Sequence, residues 1–303
     1  MDILWWFHDI RTGFLDTFFS LITYFGHILL PMVILCIIYW CYDKRFAYKL
    51  GLSFFAGSII LQYVKITCRV PRPWQIDRKF IPVFSALDDA SGHSFPSGHS
   101  QAAGALYTMF FLNSKKKWFK ALMIFLIIII PISRMYLGVH TLTDVLFGAL
   151  CGIASSILFF YIYDKISANL KSDIIVSGII LLASVGLIIY ASYLKENVDK
   201  SISIFGDCFK IGGAGLAFAI SYPIEKNFIK FNTETTLIKQ IIKTALGIAI
   251  LLSMRYGIKY LLGSNPKYDL FRYFSMVIVM VLVYPLTFRY LFKPKEKKQN
   301  ITD

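Results

Sequence analysis

Charge is scarce in this chain, and acid is the scarcer sign. Only 17% of the 303 residues are charged, with 18 Asp and Glu against 32 Lys and Arg, a formal +14. That excess does not gather into a stripe of the kind that binds nucleic acid. It punctuates apolar runs, which argues for membrane topology and against a nucleic-acid partner. Cysteine is also sparse. Cys36, Cys41, Cys68, Cys151 and Cys208 show no CxxC spacing, which argues against a metal or redox site. Buried, inert thiols are expected, with a Cys68–Cys208 pairing left open because both fall near one face in the reading below. No DxD, HExxH or histidine-rich cluster is present, so no metal or other cofactor is implied. Internal repeats, low-complexity tracts and a soluble domain are lacking too. Met1-Asp2-Ile3 carries no basic n-region and no small-residue cleavage site follows, so a cleavable signal peptide is not expected.

Apolar residues are what the chain has in quantity: 56% hydrophobic and 17% aromatic, with a mean hydropathy of +0.60. A soluble domain rarely reaches those values. Runs such as Ala121–Ser133 and Ser177–Ser192 belong to stretches near the roughly 20 residues that cross a bilayer. With no water to satisfy backbone groups in lipid, an all-α polytopic transmembrane bundle is predicted. About nine spans are expected. The first ends near Trp40. The others cover Phe46–Cys68, Ser97–Asn113, Trp118–Leu137, Thr141–Tyr163, Ile174–Leu194, Ile204–Ile224, Ile238–Leu262 and Leu270–Leu291. Residues 1–165 would hold the N-terminal span and a four-helix core. Residues 166–303 would add four spans to the same integral bundle. Lys44-Arg45, Lys115 to Lys117, Lys165 with Lys171, Lys226 with Lys230 and the tail KPKEKK fall on one side. The positive-inside rule makes that side cytoplasmic. The N-terminus is then outside the cell membrane, the C-terminus cytoplasmic, and the loop from Arg69 to Phe95 outside.

Three polar stretches interrupt this pattern. In KITCRVPRP, Lys65 ends the second span and Arg72 enters a proline-stiffened loop; alone, the two read as interfacial anchors. In SGHSFPSGHS, Ser97 is a candidate helix cap, and exposed N–H groups at a helix start attract anions. Gly98 leaves that backbone open and His99 follows on the first turn. In SRMYLGVHTLTD, Arg134 ends the fourth span, and His140 and Asp144 stand four apart on one helix face, close enough to pair. A carboxylate on Nδ1–H fixes the tautomer and leaves Nε2 as nucleophile or base. Alternation of spans brings the three stretches to one end of the bundle. Three cations, helix-start donors and two histidines suit a phosphoryl group, whose transfer needs mainly positioning and charge neutralisation.

The blocks Lys65-x6-Arg72-Pro73, Pro96-Ser97-Gly98-His99 and Ser133-Arg134-x5-His140-x3-Asp144 resemble the three-part signature of the type 2 phosphatidic acid phosphatase superfamily. The resemblance covers Lys65 to Asp144 and leaves the last four spans outside the signature. It implies that His140 attacks phosphorus to form a phosphohistidine, that Asp144 orients His140, and that His99 protonates the leaving oxygen. Lys65, Arg72, Arg134, Ser97 and Gly98 would hold the phosphoryl oxygens, and His93 is an ordinary loop histidine. The implied activity is a metal-independent membrane phosphatase acting on a membrane lipid, with undecaprenyl diphosphate the first expectation. Phosphatidylglycerol phosphate, phosphatidic acid and a soluble sugar phosphate, as in glucose-6-phosphatase, are the alternatives. A non-catalytic transporter or scaffold is the reading of another class, disfavoured by the complete set of site residues. Arg255, Lys259 and Arg272 fall near the same face. They line the site for a head group or a diphosphate, or they are snorkelling anchors with a structural pair to Asp207.

Overall fold

The computed structural model describes residues 1–198, 202–263 and 265–292. Helices α1 (Asp2–Asp9) and α2 (Gly13–Thr23) lead into α3 (Leu29–Cys41), α4 (Lys44–Cys68) and the single turn α5 (Pro73–Ile76). There follow α6 (Gly98–Asn113), α7 (Lys117–Tyr136), α8 (Leu142–Ile166), α9 (Leu170–Asn197) and α10 (Ile202–Ile224). Beyond α11 (Leu237–Leu262), α12 (Pro266–Ile278) runs through a π turn at Val279–Val283 into α13 (Tyr284–Leu291). Among the described residues the protein is wholly helical, as the sequence predicts, and it is a multi-pass membrane protein. The basic tail KPKEKK lies outside the described residues.

The expected count of about nine spans is not confirmed. Among the described residues six helices are long and apolar enough to cross a membrane, and the pair Gly13–Gly26 and Leu29–Cys41, bent by 42°, makes a seventh if taken as one span. Helices α6 and α10 are the expected spans outside that number. The 16 residues of α6 reach only about 24 Å, short of a hydrocarbon core about 30 Å thick. Its middle is buried in protein instead.

That burial follows from small residues. A Cβ on Gly148 would lie 2.3 Å from the Ser97 carbonyl oxygen, and one on Gly152 would lie 2.2 Å from that of Gln101. Helices α6 and α8 therefore lie backbone against backbone, an approach that small residues permit in lipid. Helix α4 packs on both and also touches α3, α9 and α10. One apolar cluster runs from Trp40, Tyr48 and Phe55 of α3 and α4 to Leu187, Phe218, Met276 and Tyr284 of the later helices. The N-terminal helices close the end where α7 meets α8. There Leu4 and Phe7 pack with Phe80, Tyr136 and Leu137. Arg11 donates to the Ile81 carbonyl at 2.5 Å and to that of Tyr136 at 3.1 Å.

The opposite end is tied by ion pairs. Lys44 bonds to the buried Glu225. Asp173, fully buried, takes Lys226 at 2.8 Å, Asn227 at 2.9 Å and Tyr222 at 3.0 Å. A carboxylate in that position needs such partners.

Candidate active site

The loop from 69 to 97 is not free-standing. Ser94 N–H donates to the Val70 carbonyl at 2.8 Å and Val83 N–H to that of Leu137 at 3.0 Å. The loop is thus stitched to the end of α4 and to the turn between α7 and α8. Gly138 in that turn has φ +78°, and a Cβ there would strike the Phe80 ring at 2.7 Å. Glycine is needed on both counts, and the turn it makes delivers His140.

His140, His99, Gly98, Lys65 and Arg72 line one cavity of about 410 Å³. Arg72 is 3% exposed and held by three backbone carbonyls. Its Nε donates to Gly92 at 3.1 Å, Nη2 to Ser91 at 2.8 Å and Nη1 to Val139 at 2.9 Å. The same Nη1 lies 3.0 Å from His140 Nε2. Lys65 Nζ donates to the His93 carbonyl at 3.0 Å. Arg134, fully buried behind the cavity, donates from Nη1 to Thr23 at 2.9 Å. Its Nε and Nη2, like His99 Nε2, are buried without a hydrogen-bond partner. Of these, His99 lines the cavity, whereas Arg134, expected to hold a phosphoryl oxygen, does not.

Asp144 also sits behind His140, but less directly than the i,i+4 spacing predicts. Its Oδ2 is 3.5 Å from His140 Nδ1, too long for a strong hydrogen bond. The same oxygen accepts from Ser94 Oγ at 2.5 Å and from Thr141 N–H at 2.7 Å. Asp144 therefore caps α8, pins the loop through Ser94 and faces the imidazole at once. Burial, and then the charges of Arg72, Arg134 and Lys65, hold His140 well below the ordinary imidazole pKa. That shift favours the neutral imidazole, the form that can act as a nucleophile.

Three expectations need correction. Ser97 does not face the cavity. Its N–H donates to the Asp144 carbonyl at 3.0 Å and its hydroxyl caps α6 by accepting from Ser100 N–H at 3.4 Å, so it holds the helix start and not an anion. Cys68 is exposed and Cys208 buried, both with free thiols, so the two do not pair. Arg272 does not snorkel to water and does not pair with Asp207. It is 6% exposed and bonds to Asp269 of its own helix, while Asp207 takes Lys210 at 2.8 Å. Arg255, Lys259 and Arg272 all line the cavity that holds both histidines.

Two groups escaped the sequence reading. Ser94 stood in the quoted decapeptide but carried no spacing signal. His27, in the break between α2 and α3, lines the cavity with its ring centroid 5.8 Å from that of His99. Its Nδ1 accepts from Leu29 N–H at 3.3 Å and its Nε2 is 3.5 Å from Asp89. The hydrogen bond from His27 holds the Asp89 carboxyl below its usual range. Among the described residues no group of three or more His, Cys, Asp or Glu could hold a metal ion.

Comparison with known proteins adds family and relatives. Residues 46–168 match the PAP2 superfamily. Residues 209–297 match the PAP2 superfamily phosphatase transmembrane extension. Phosphatidylglycerophosphatase B of Bacillus subtilis is 31% identical over 52% of this chain and 74% of its own length. Lipid A 4'-phosphatase of Bacteroides thetaiotaomicron is 24% identical over 58% and 82%. Sphingosine-1-phosphate phosphatase 1 of Mus musculus is 25% identical over 76% and 58%.

Proposed function

The chain belongs to the PAP2 superfamily, and from that premise we propose that it hydrolyses a lipid phosphate or diphosphate at the extracytoplasmic face, with undecaprenyl diphosphate the first candidate substrate. The observation that carries the reading is the convergence of His140, His99, Lys65 and Arg72 on one cavity. In the proposed reaction His140 Nε2 attacks phosphorus while the bond to the leaving oxygen breaks, and His99 gives that oxygen a proton. A water that loses its proton to His99 then attacks the phosphohistidine, releasing phosphate and restoring His140. A phosphoryl group entering beside His140 exchanges the Arg72–Nε2 contact for bonds from Arg72 to its own oxygens. The guanidinium is already oriented, so little reorganisation accompanies the charge that develops. Lys65 and the Gly98 backbone complete the cradle, with the charge of Arg134 buried behind it. Ser97 and Asp144 act by position, and no step calls for a metal.

A lipid is favoured over a soluble sugar phosphate by what adjoins the cavity. Ile28, Phe54, Ile211 and Tyr273 line it and also line an apolar crevice between α3, α4, α10 and α12. A hydrocarbon chain has a wall there to follow. The extracytoplasmic placement rests on the basic connectors, which lie at the helix ends opposite His140. Phosphatidylglycerol phosphate is the second reading, favoured by the name of the relative from Bacillus subtilis. The test is phosphate release in detergent with EDTA, from undecaprenyl diphosphate, phosphatidylglycerol phosphate, phosphatidic acid and glucose 6-phosphate. Turnover of at least one lipid, abolished by His140→Ala, supports the reading. Turnover that survives His140→Ala, or that glucose 6-phosphate alone elicits, overturns it.

A further inference from the structure

The catalytic stretches account for one wall of the cavity and leave the facing wall unexplained. Six basic residues line the cavity against three aspartates. Lys65 and Arg72 belong to the catalytic wall; Lys210, Arg255, Lys259 and Arg272 come from α10, α11 and α12. Lys210 is neutralised by Asp207 at 2.8 Å. Arg272 uses Nη2 on Asp269, but its Nε and Nη1 are buried without a hydrogen-bond partner, as is Nη1 of Arg255. No ion pair is formed by Arg255 or Lys259 among the described residues. Desolvated guanidinium donors without an acceptor are costly. An anchor would turn such groups to water, whereas Arg272 is 6% exposed and faces the same space as His140.

We propose that Arg255, Lys259 and Arg272 form a second anion subsite opposite the phosphohistidine site, which binds a second phosphate group on the same lipid substrate. The inference rests on the phosphatase reading above and narrows its substrate to an amphiphile with two phosphates. A single phosphate monoester dianion is matched by Lys65 and Arg72 on the catalytic wall, with the charge of Arg134 buried behind it. Arg255 and Lys259, which form no ion pair among the described residues, call for added negative charge, which a diphosphate or a phosphodiester-linked phosphomonoester supplies, and Arg272, paired with Asp269, adds its two unpartnered donors. Arginine suits the role because its planar fork meets phosphate oxygens in pairs. The aspartates do not block it: Asp207 is held by Lys210, Asp89 faces His27 at 3.5 Å, and Asp88 is exposed. The subsite belongs to the transmembrane extension, giving those helices a role in choosing the substrate.

The test compares kcat/KM for undecaprenyl diphosphate and phosphatidylglycerol phosphate with that for phosphatidic acid, in the wild type and in Arg255→Gln, Lys259→Gln and Arg272→Gln. Loss of a charge-assisted bond to phosphate should lower the preference for a two-phosphate lipid about 10- to 100-fold, chiefly through KM. Which of the two lipids responds names the source of the second phosphate. An unchanged preference in all three variants overturns the proposal. A binding measurement separates it from the phosphatase reading and does not depend on turnover. In the His140→Ala protein, pyrophosphate should raise Tm more than phosphate does, and Arg255→Gln should remove that difference. Equal shifts from the two anions before Arg255 is changed overturn the subsite, whatever the catalytic assays give. Arg272 holds a buried ion pair and its variant can fail to fold; Arg255→Gln and Lys259→Gln alone then decide.

Discussion

Replacing Gly148 by alanine isolates the geometric claim, because the added methyl touches neither catalytic residue nor substrate. The new Cβ would lie 2.3 Å from the Ser97 carbonyl oxygen and 3.2 Å from its carbon. Ordinary contact begins near 3.4 Å, so the two backbones must part by about 1 Å. His99 is two residues beyond Ser97 on α6, and Asp144 and His140 precede Gly148 at the start of α8. The separation therefore falls on the distance between His99 and His140, the proposed proton donor and nucleophile. A misplacement of about 1 Å in a reacting constellation lowers turnover about 100-fold, while the overpacking destabilises the fold by only about 1–3 kcal/mol. The assay is kcat for lipid phosphate release by Gly148→Ala, with Tm and elution volume measured on the same sample. Gly178→Ala is the control, since a Cβ on that α9 residue meets nothing within 4 Å. A folded Gly148→Ala protein with wild-type kcat would refute the view that α6–α8 contact sets the site.

Three other outcomes follow from the same geometry. Ser94→Ala removes a 2.5 Å bond to the buried Asp144 and should lower kcat about 10- to 100-fold with little change in KM; parallel changes in both would argue for a merely structural role. Since burial and the charges of Arg72, Arg134 and Lys65 lower the proton affinity of His140, its neutral, active form persists below the ordinary value near 6.5. The acid limb of kcat/KM should then lie below pH about 6.5 and rise in Arg72→Gln, and a wild-type limb above that value would contradict the assignment. At the far end, Asp173→Asn breaks a buried ion pair with Lys226 and should destabilise the protein by about 3–5 kcal/mol. Thermal unfolding in detergent reads the loss, and kcat just below Tm should stay near wild type.

Helical class and the joining of the three polar stretches were legible in the sequence because each depends on a strong local signal. Long apolar runs leave only helix in lipid, and the Lys65, His99 and His140 blocks sit at helix ends that alternation brings to one face. The spacing of His140 and Asp144 brought them near each other, although His140 lies in the turn before α8 and not on its helix face. It could not show that the carboxylate is shared with Ser94 and the Thr141 N–H, because those bonds depend on where the loop from 69 to 97 lies. Ser97 misled for a related reason: a capping serine and an anion-binding serine have the same sequence context, and only the course of α8 shows its N–H on the Asp144 carbonyl. His27 was invisible because its neighbours read as plain apolar helix, while the bend between α2 and α3 turns it toward His99. Apolar pattern also leaves the number of spans open, since α6 has the composition of one but only 16 residues.

Trapping the covalent intermediate tests the central claim most directly. Rapid acid-free quenching of the enzyme with a lipid labelled in its terminal phosphate, followed by peptide mapping, should find base-stable, acid-labile label on His140 alone, absent from His140→Ala. Label on another residue, or full turnover with no label on His140 in the first milliseconds, would contradict it.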